Sequence, residues 1–226
     1  KKDMRKNKLY LFLLLVVGLL SLADFLNPGL PITHDGQDHV ARIANFYQSL
    51  SEGNLIPRWA ANLNWGHGHP ILMFLYPLAS YLASLFHFFG FSLVDSTKIV
   101  FGLSFVFSGI FMYLWIKEIW GKEAGFVAGL IYMFAPYRFV DLYVRGALGE
   151  CLAFVWPPLI CYFALKLSKS RQYRYLVGGS LSLAALILSH NILALIFVSF
   201  FLFYSLFLVL HSKNKKKSLI NTSVIL

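Results

Sequence analysis

Apolar runs recur along nearly the whole of this chain, and they constrain its fold more than any motif does. Residues 9–26, 70–91, 99–116, 124–137, 151–165, 176–189 and 191–210 are each predominantly apolar. Several approach the ~20 residues that a helix needs to cross a ~30 Å hydrocarbon core. Backbone in lipid must satisfy its own hydrogen bonds, so such runs fold as helices. With 58% hydrophobic and only 13% charged residues, the chain is not composed like a soluble globular domain. The expectation is an all-α polytopic membrane protein with a single transmembrane domain over 1–226. The first run follows a basic N-terminus, as a signal peptide does, but later spans favour a retained helix. The final segment, "SLINTSVIL", reads as the start of another helix of a longer protein.

A net charge of +10 raises nucleic acid as a partner, and the distribution of charge argues against it. Five Lys and Arg fall in 1–8, four in 166–174 and four in 213–217, each cluster flanking an apolar run. That is the pattern of cytoplasmic loops, which also meet anionic lipid. If all seven runs cross, three of the four basic loops lie on the wrong side. If 70–91 does not cross, all four lie inside. The polar stretches 27–69, 138–150 and 189–191 then share the outside. The segment 70–91 carries Pro70, Pro77 and His87, which suits a re-entrant or interfacial helix. The expected topology has six spans, a cytoplasmic N-terminus and a first external loop over 27–96. Cys151 and Cys161 read as buried small hydrophobes.

Within the first loop, "HDGQDHVARIANFYQSLSEGN" predicts an amphipathic helix over about 35–52, with Asp35 as N-cap and Gly53-Asn54 as the stop. Asp35, Asp38, His39 and Arg42 fall at i, i+3, i+4 and i+7 and share one face. Val40, Ile43, Ala44 and Tyr47 form an apolar face that would lie along the membrane surface. Capping by Asp35 and an Asp38–Arg42 pair account for part of this cluster. They do not account for His34 and His39 beside a membrane. Further on, "WGHGHP" places His67 and His69 among small residues, a weak pattern for metal ligands.

The second loop, "APYRFVDLYVRGALGE", holds Arg138, Asp141, Arg145 and Glu150 between two spans. Two arginines on the outside run against the charge bias. Binding an anion such as phosphate is one reason for them, and internal salt bridging is another. His190 in "LSHN" sits at a helix junction, where a histidine caps or binds.

Taken in order, "HDGQDHVAR", "NWGHGHPILMFLYPL", "FAPYRFVDLYVRGALGE" and "LSHN" resemble the membrane proteins labelled 6-pyruvoyl-tetrahydropterin-synthase-related or YfhO-like. These resemble the GT-C glycosyltransferase superfamily, and the likeness runs over about residues 9–210. The pterin label would need a soluble fold with a three-histidine zinc site, which the sequence lacks. The GT-C resemblance implies a helical bundle whose external first loop holds a catalytic aspartate and helices that do not cross. It also implies a polyprenyl-phosphate-linked sugar as donor. Asp35 takes the place of that aspartate, followed by Gly36 where an acidic residue is commoner. Asp38 and Asp141 join it as catalytic candidates, and a divalent metal, Mg or Mn, would sit on Asp35, Asp38 and Asp141. His34, His39, Arg42, Arg138, Arg145, Glu150 and His190 become candidates for substrate and phosphate. The expected activity is inverting sugar transfer at the outer face of the plasma membrane. A non-catalytic protein that binds or assembles lipid-linked glycan is the alternative, as is a lipid-polymer transporter. Transporters place ionisable groups mid-membrane; here they gather at one face.

Overall fold

A computed structural model describes residues 2–170 and 172–212. The expected further helix at the end of the chain lies outside them. Among the described residues all regular secondary structure is helical, apart from one isolated bridge between Ala60 and His69. The elements are α1 (Lys2–Leu20), α2 (Gly36–Ser51), α3 (Ile71–Phe74), α4 (Leu78–Phe88), α5 (Leu93–Trp120), α6 (Lys122–Met133), α7 (Pro136–Phe139), α8 (Leu148–Ala153), α9 (Trp156–Lys169), α10 (Tyr173–Ser189) and α11 (Asn191–Leu210). A 3₁₀ turn, Ala23–Leu26, follows α1, and a π-helical segment, Val140–Arg145, joins α7 to α8.

Three helical stretches are long and apolar enough to cross a membrane: α5, the 22 residues Leu148–Lys169 formed by α8 and α9, and α11. Lys122–Met133 with Pro136–Arg145 makes a fourth if that pair, bent by 47°, is one span. The bend falls where Pro136 removes a backbone donor. Of the other expected spans, α10 has 17 residues, about 26 Å of helix, and α1 is charged through its first two turns. By length and composition, three or four of the described helical stretches reach spanning size, and α1 and α10, also expected as spans, fall just short of it. The 70–91 run breaks into α3 and α4, and the 11 residues of α4 reach only ~16 Å. Pro77 occupies the N-cap of α4 and ends the turn before it.

The bundle is organised around α5, which packs against α1, α2, α4, α6, α8 and α9. The α5–α6 contact is close because Gly109 and Gly129 face each other. A Cβ on Gly109 would meet the Met133 side chain, and one on Gly129 would lie 2.9 Å from the Gly109 carbonyl. Leu14, Phe101, Phe105, Met133 and Leu148 fill the main core, and α9, α10 and α11 enclose a second one around Ile160, Leu186 and Phe201. Large apolar side chains are exposed on the outside of the bundle, including Leu195 at 73% and Phe203 at 75% on α11. Lipid is the solvent that suits such a face. An apolar groove of about 950 Å³ runs between α1 and α5, past Leu15, Leu19, Gly102 and Ile110. At its end Lys98 donates to the carbonyls of Asn27 (2.9 Å) and Gly29 (3.1 Å) and pairs with Asp95.

The apolar face of α2 meets protein. Ile43 and Phe46 are buried, Phe46 stacks edge-on against Tyr81, and α2 packs on α4 and α5. The helix expected along the membrane surface thus packs its apolar face on the bundle. Buried Asn45 explains the inward preference: its amide donates to the Ala41 carbonyl, and its oxygen accepts from the Asn62 backbone (2.8 Å). That bond holds the 54–70 loop over α2.

Candidate active site

Two segments more than 100 residues apart meet at one end of the bundle. The His34 backbone N–H donates to the Val144 carbonyl (3.0 Å), and that of Asp35 donates to the Arg145 carbonyl (2.8 Å). Gly146 permits this approach. Its backbone is left-handed at φ +66, and a Cβ there would strike Thr33 Oγ1 and the Gly36 nitrogen. The π-helical segment supplies the free carbonyls, since its i→i+5 pattern leaves the end of the turn open.

Asp35 occupies the N-cap position of α2, but its side chain makes no capping bond. Thr33 Oγ1 accepts from the Gly36 N–H instead (3.1 Å). The capping role expected of Asp35 therefore belongs to Thr33, because the 33–36 turn brings Thr33 closer to the helix end. The Asp35 carboxylate is left without a hydrogen-bond partner among the described residues. At the far end, Asn54 N–H bonds back to the Ser49 carbonyl and Gly53 adopts φ +90, which closes α2 where the glycine predicted.

On the other side of the junction is a buried ionic knot. Arg145 Nη1 lies 2.6 Å from Glu150 Oε2, 3.1 Å from Asp141 Oδ1 and 2.7 Å from the Tyr137 hydroxyl. Tyr137 donates to Glu150 Oε1 (2.5 Å), and the Cys151 thiol donates to Asp141 Oδ2 (3.2 Å). Asp141 is wholly buried and Glu150 is 8% exposed, whereas the Arg145 side chain keeps 37%. Its Nη2 and Nε have no partner among the described residues, so its outer edge remains open to a ligand. Arg138 lies beneath, 3% exposed, against the rings of Phe105 and Phe154. It donates to Ser108 Oγ (3.3 Å) rather than to Asp141. One buried and one partly exposed arginine thus face two buried carboxylates.

His190 closes the rim. Its Nδ1 accepts from the Leu193 N–H and caps α11, while its ring packs 4.6 Å from that of Tyr76. Burial lowers the His190 pKa, with Glu150 pulling the other way, and burial followed by Glu150 raises that of Tyr76. His39 is pushed down to about 4, by burial first and the Arg42 charge second, so it is neutral at pH 7. His34 and His69 are exposed, as is His67.

Arg145, Glu150 and His190 are therefore brought together, and the backbone at Asp35, where α2 begins, is tied to that of Arg145. Asp35, Asp38 and Asp141 do not converge. Asp141 is sealed under Arg145 and Cys151, and no three His, Cys, Asp or Glu side chains among the described residues form a metal-holding group. Among the described residues, neither Asp35, Asp38 and Asp141 nor His67 and His69 with a third ligand form such a group. Tyr76, Tyr137 and Cys151 were not legible as site residues. Tyr76 and Tyr137 are embedded in apolar runs, and a cysteine beside a carboxylate has no signature in sequence.

The fold and the ionisable loops at one end of the bundle define an all-helical membrane protein. The chain belongs to the oligosaccharyl transferase STT3 N-terminal family, whose model matches residues 61–226. This family carries the GT-C part of the resemblance; it does not extend to the pterin-synthase-related or YfhO-like names. Asp141, Arg145, Glu150 and His190 lie inside the matched stretch, and α2 lies before it. An uncharacterized protein of Lactococcus lactis subsp. cremoris (strain MG1363) is 23% identical over 215 residues, 93% of this chain and 35% of that relative. The chain therefore spans about a third of the length of the curated relative it matches. No solved structure matches.

Proposed function

We propose that this chain carries the donor side of an inverting GT-C glycosyltransferase. The enzyme takes a sugar from a polyprenyl-phosphate donor at the outer face of the plasma membrane, with α1 entering from the cytoplasm. The observation that carries this reading is the pair of backbone hydrogen bonds from residues 34 and 35 to 144 and 145. They tie the backbone of the uncapped Asp35 to that of the partly open Arg145.

In this mechanism Asp35 accepts the proton of an acceptor hydroxyl. The hydroxyl oxygen attacks the anomeric carbon from the face opposite the phosphate. The bond from that carbon to the phosphate oxygen breaks, and the phosphate leaves with the electron pair. Its charge meets the free edge of Arg145, whose position is fixed by Asp141, Glu150 and Tyr137. Neutral His39 and the Tyr76–His190 pair flank the site as hydrogen-bonding groups. The groove between α1 and α5 suits the hydrocarbon chain of the donor, because its one cation, Lys98, is already held by two carbonyls and Asp95. The alternative of a binding or assembly protein shares every feature except turnover. Asp35→Asn in the full-length protein separates the two. A lost general base costs ~10²–10⁴-fold in rate with donor binding kept, and wild-type turnover in the variant rejects the assignment.

A further inference from the structure

Charge gathers a second time at the far end of α5. Lys98 and Lys117 lie 19 residues apart on that helix, ~28 Å, close to one hydrocarbon thickness. At the Lys117 end, α9 and α10 pack beside α5. Tyr162, Lys166 and Lys169 fall at i, i+4 and i+7 of α9 and share one face. Lys166 Nζ donates to Glu118 Oε2 of α5 (3.1 Å) and lies 5.8 and 5.9 Å from the ring centres of Tyr162 and Tyr175. Lys169 reaches only the Glu118 carbonyl, at 3.5 Å. Arg174 of α10 stacks over Tyr175 at 4.8 Å and donates from Nη2 to its hydroxyl (3.0 Å). Its Nη1 and Nε have no partner among the described residues. Three cations thus share the one carboxylate of Glu118, and Lys169 and Arg174 are exposed. Helix stability does not explain Arg174. It stands in the first turn of α10, where the helix dipole disfavours a cation and Gln172 supplies no side-chain cap. Arg174, Leu181 and Leu188 fall at i, i+7 and i+14, so the guanidinium heads an exposed apolar stripe ~21 Å long. Exposed Trp120 and Tyr173, next in the chain to these charges, are the rings that collect at headgroup level.

We infer that this cluster binds the headgroup phosphate of an anionic phospholipid, held by Lys169 and Arg174, with an acyl chain along Leu181 and Leu188. Lys166 neutralises Glu118, which leaves the other two charges uncompensated within the cluster. The guanidinium edge that Tyr175 leaves free matches phosphate oxygens. A zwitterionic headgroup brings a cation of its own against Lys169 and Arg174, and an anionic one does not. Water screens both side chains, so the preference is about fivefold for each cation. A soluble phosphate shares the charge contact and gains nothing from the stripe. On the proposed orientation the lipid belongs to the cytoplasmic leaflet. The chemistry of the cluster stands apart from the transferase reading.

The test is native mass spectrometry of the full-length protein in detergent, titrated with phosphatidylglycerol and with phosphatidylcholine of the same acyl chains. The wild type binds phosphatidylglycerol at least tenfold more tightly. In Lys169→Gln/Arg174→Gln the two lipids bind within twofold of each other. Arg5→Gln/Lys8→Gln removes the same charge from exposed positions on α1 and keeps the wild-type preference. Equal binding of the two lipids by the wild type overturns the inference. So does an equal loss of preference in the α1 variant, which would assign it to diffuse surface charge. Competition by the deacylated headgroup, glycerophosphoglycerol, at the same concentration as the lipid overturns it as well, because the site would then take a soluble phosphate.

Discussion

Replacing Arg145 by glutamine tests the ionic knot directly. The guanidinium holds a carboxylate with no exposure, Asp141, and one that is 8% exposed, Glu150. Removing one partner of a buried pair typically costs ~3–5 kcal/mol, because the other charge is left buried and unpaired. Two corrections reduce that figure. The Arg145 side chain is 37% exposed, so water already screens part of the attraction. Glu150 keeps the Tyr137 hydroxyl, and Asp141 keeps the Cys151 thiol. The expected loss is ~2–4 kcal/mol, which for a chain of this size is roughly 6–12 °C in Tm. The assay is thermal unfolding in nanodiscs followed by tryptophan fluorescence. A control fixes the cause: in Arg145→Gln/Glu150→Gln one of the stranded charges is gone, so about half the lost stability returns. A single variant that melts within ~2 °C of wild type refutes the argument. So does a double variant whose losses simply add, since coupled groups do not behave additively.

Two more predictions concern pH and sidedness. His39 stays neutral in the folded protein down to about pH 4, whereas unfolded chain takes up its proton near the ordinary 6.5. Its contribution to stability is therefore complete above pH 6.5 and is lost as pH falls from 6.5 through 4. NMR titration of the His39 ring follows this directly; in Arg42→Gln the pKa moves up toward 6.5, and an ordinary value in the wild type contradicts the burial argument. On the proposed topology, cysteines at exposed Trp65, Val144 and Asn191 label from outside and one at Trp120 from inside. Labelling of Trp65 and Val144 variants from opposite sides would break the proposed orientation.

The helices themselves were written locally. Apolar runs, prolines at 70, 77 and 136, and the Gly53 stop each act within a turn or two of chain. That is why α2 was expected over 35–52 and forms over 36–51, and why 70–91 breaks into short helices. The number of spans was less legible, because bends and helix lengths near the limit depend on neighbouring helices. The ionisable residues of the site could be named from their density beside lipid. Their partners could not. Arg145 ties Glu150 and Asp141 together because the π-helical segment that carries Asp141 and Arg145 leads directly into α8, which carries Glu150, and hydropathy carries no record of that turn.

Sequence alone determined that this chain is helical, lives in lipid and gathers its charge at helix ends, since each of these follows from which side chains tolerate hydrocarbon. Only the tertiary structure decided that residues 34–35 lie on 144–145, that Thr33 rather than Asp35 caps α2, and that Asp38 and Arg42 face a cavity. Those contacts join segments far apart in the chain, and they exist because α5 and its neighbours bury apolar surface that has no preference for which charges end up beside one another.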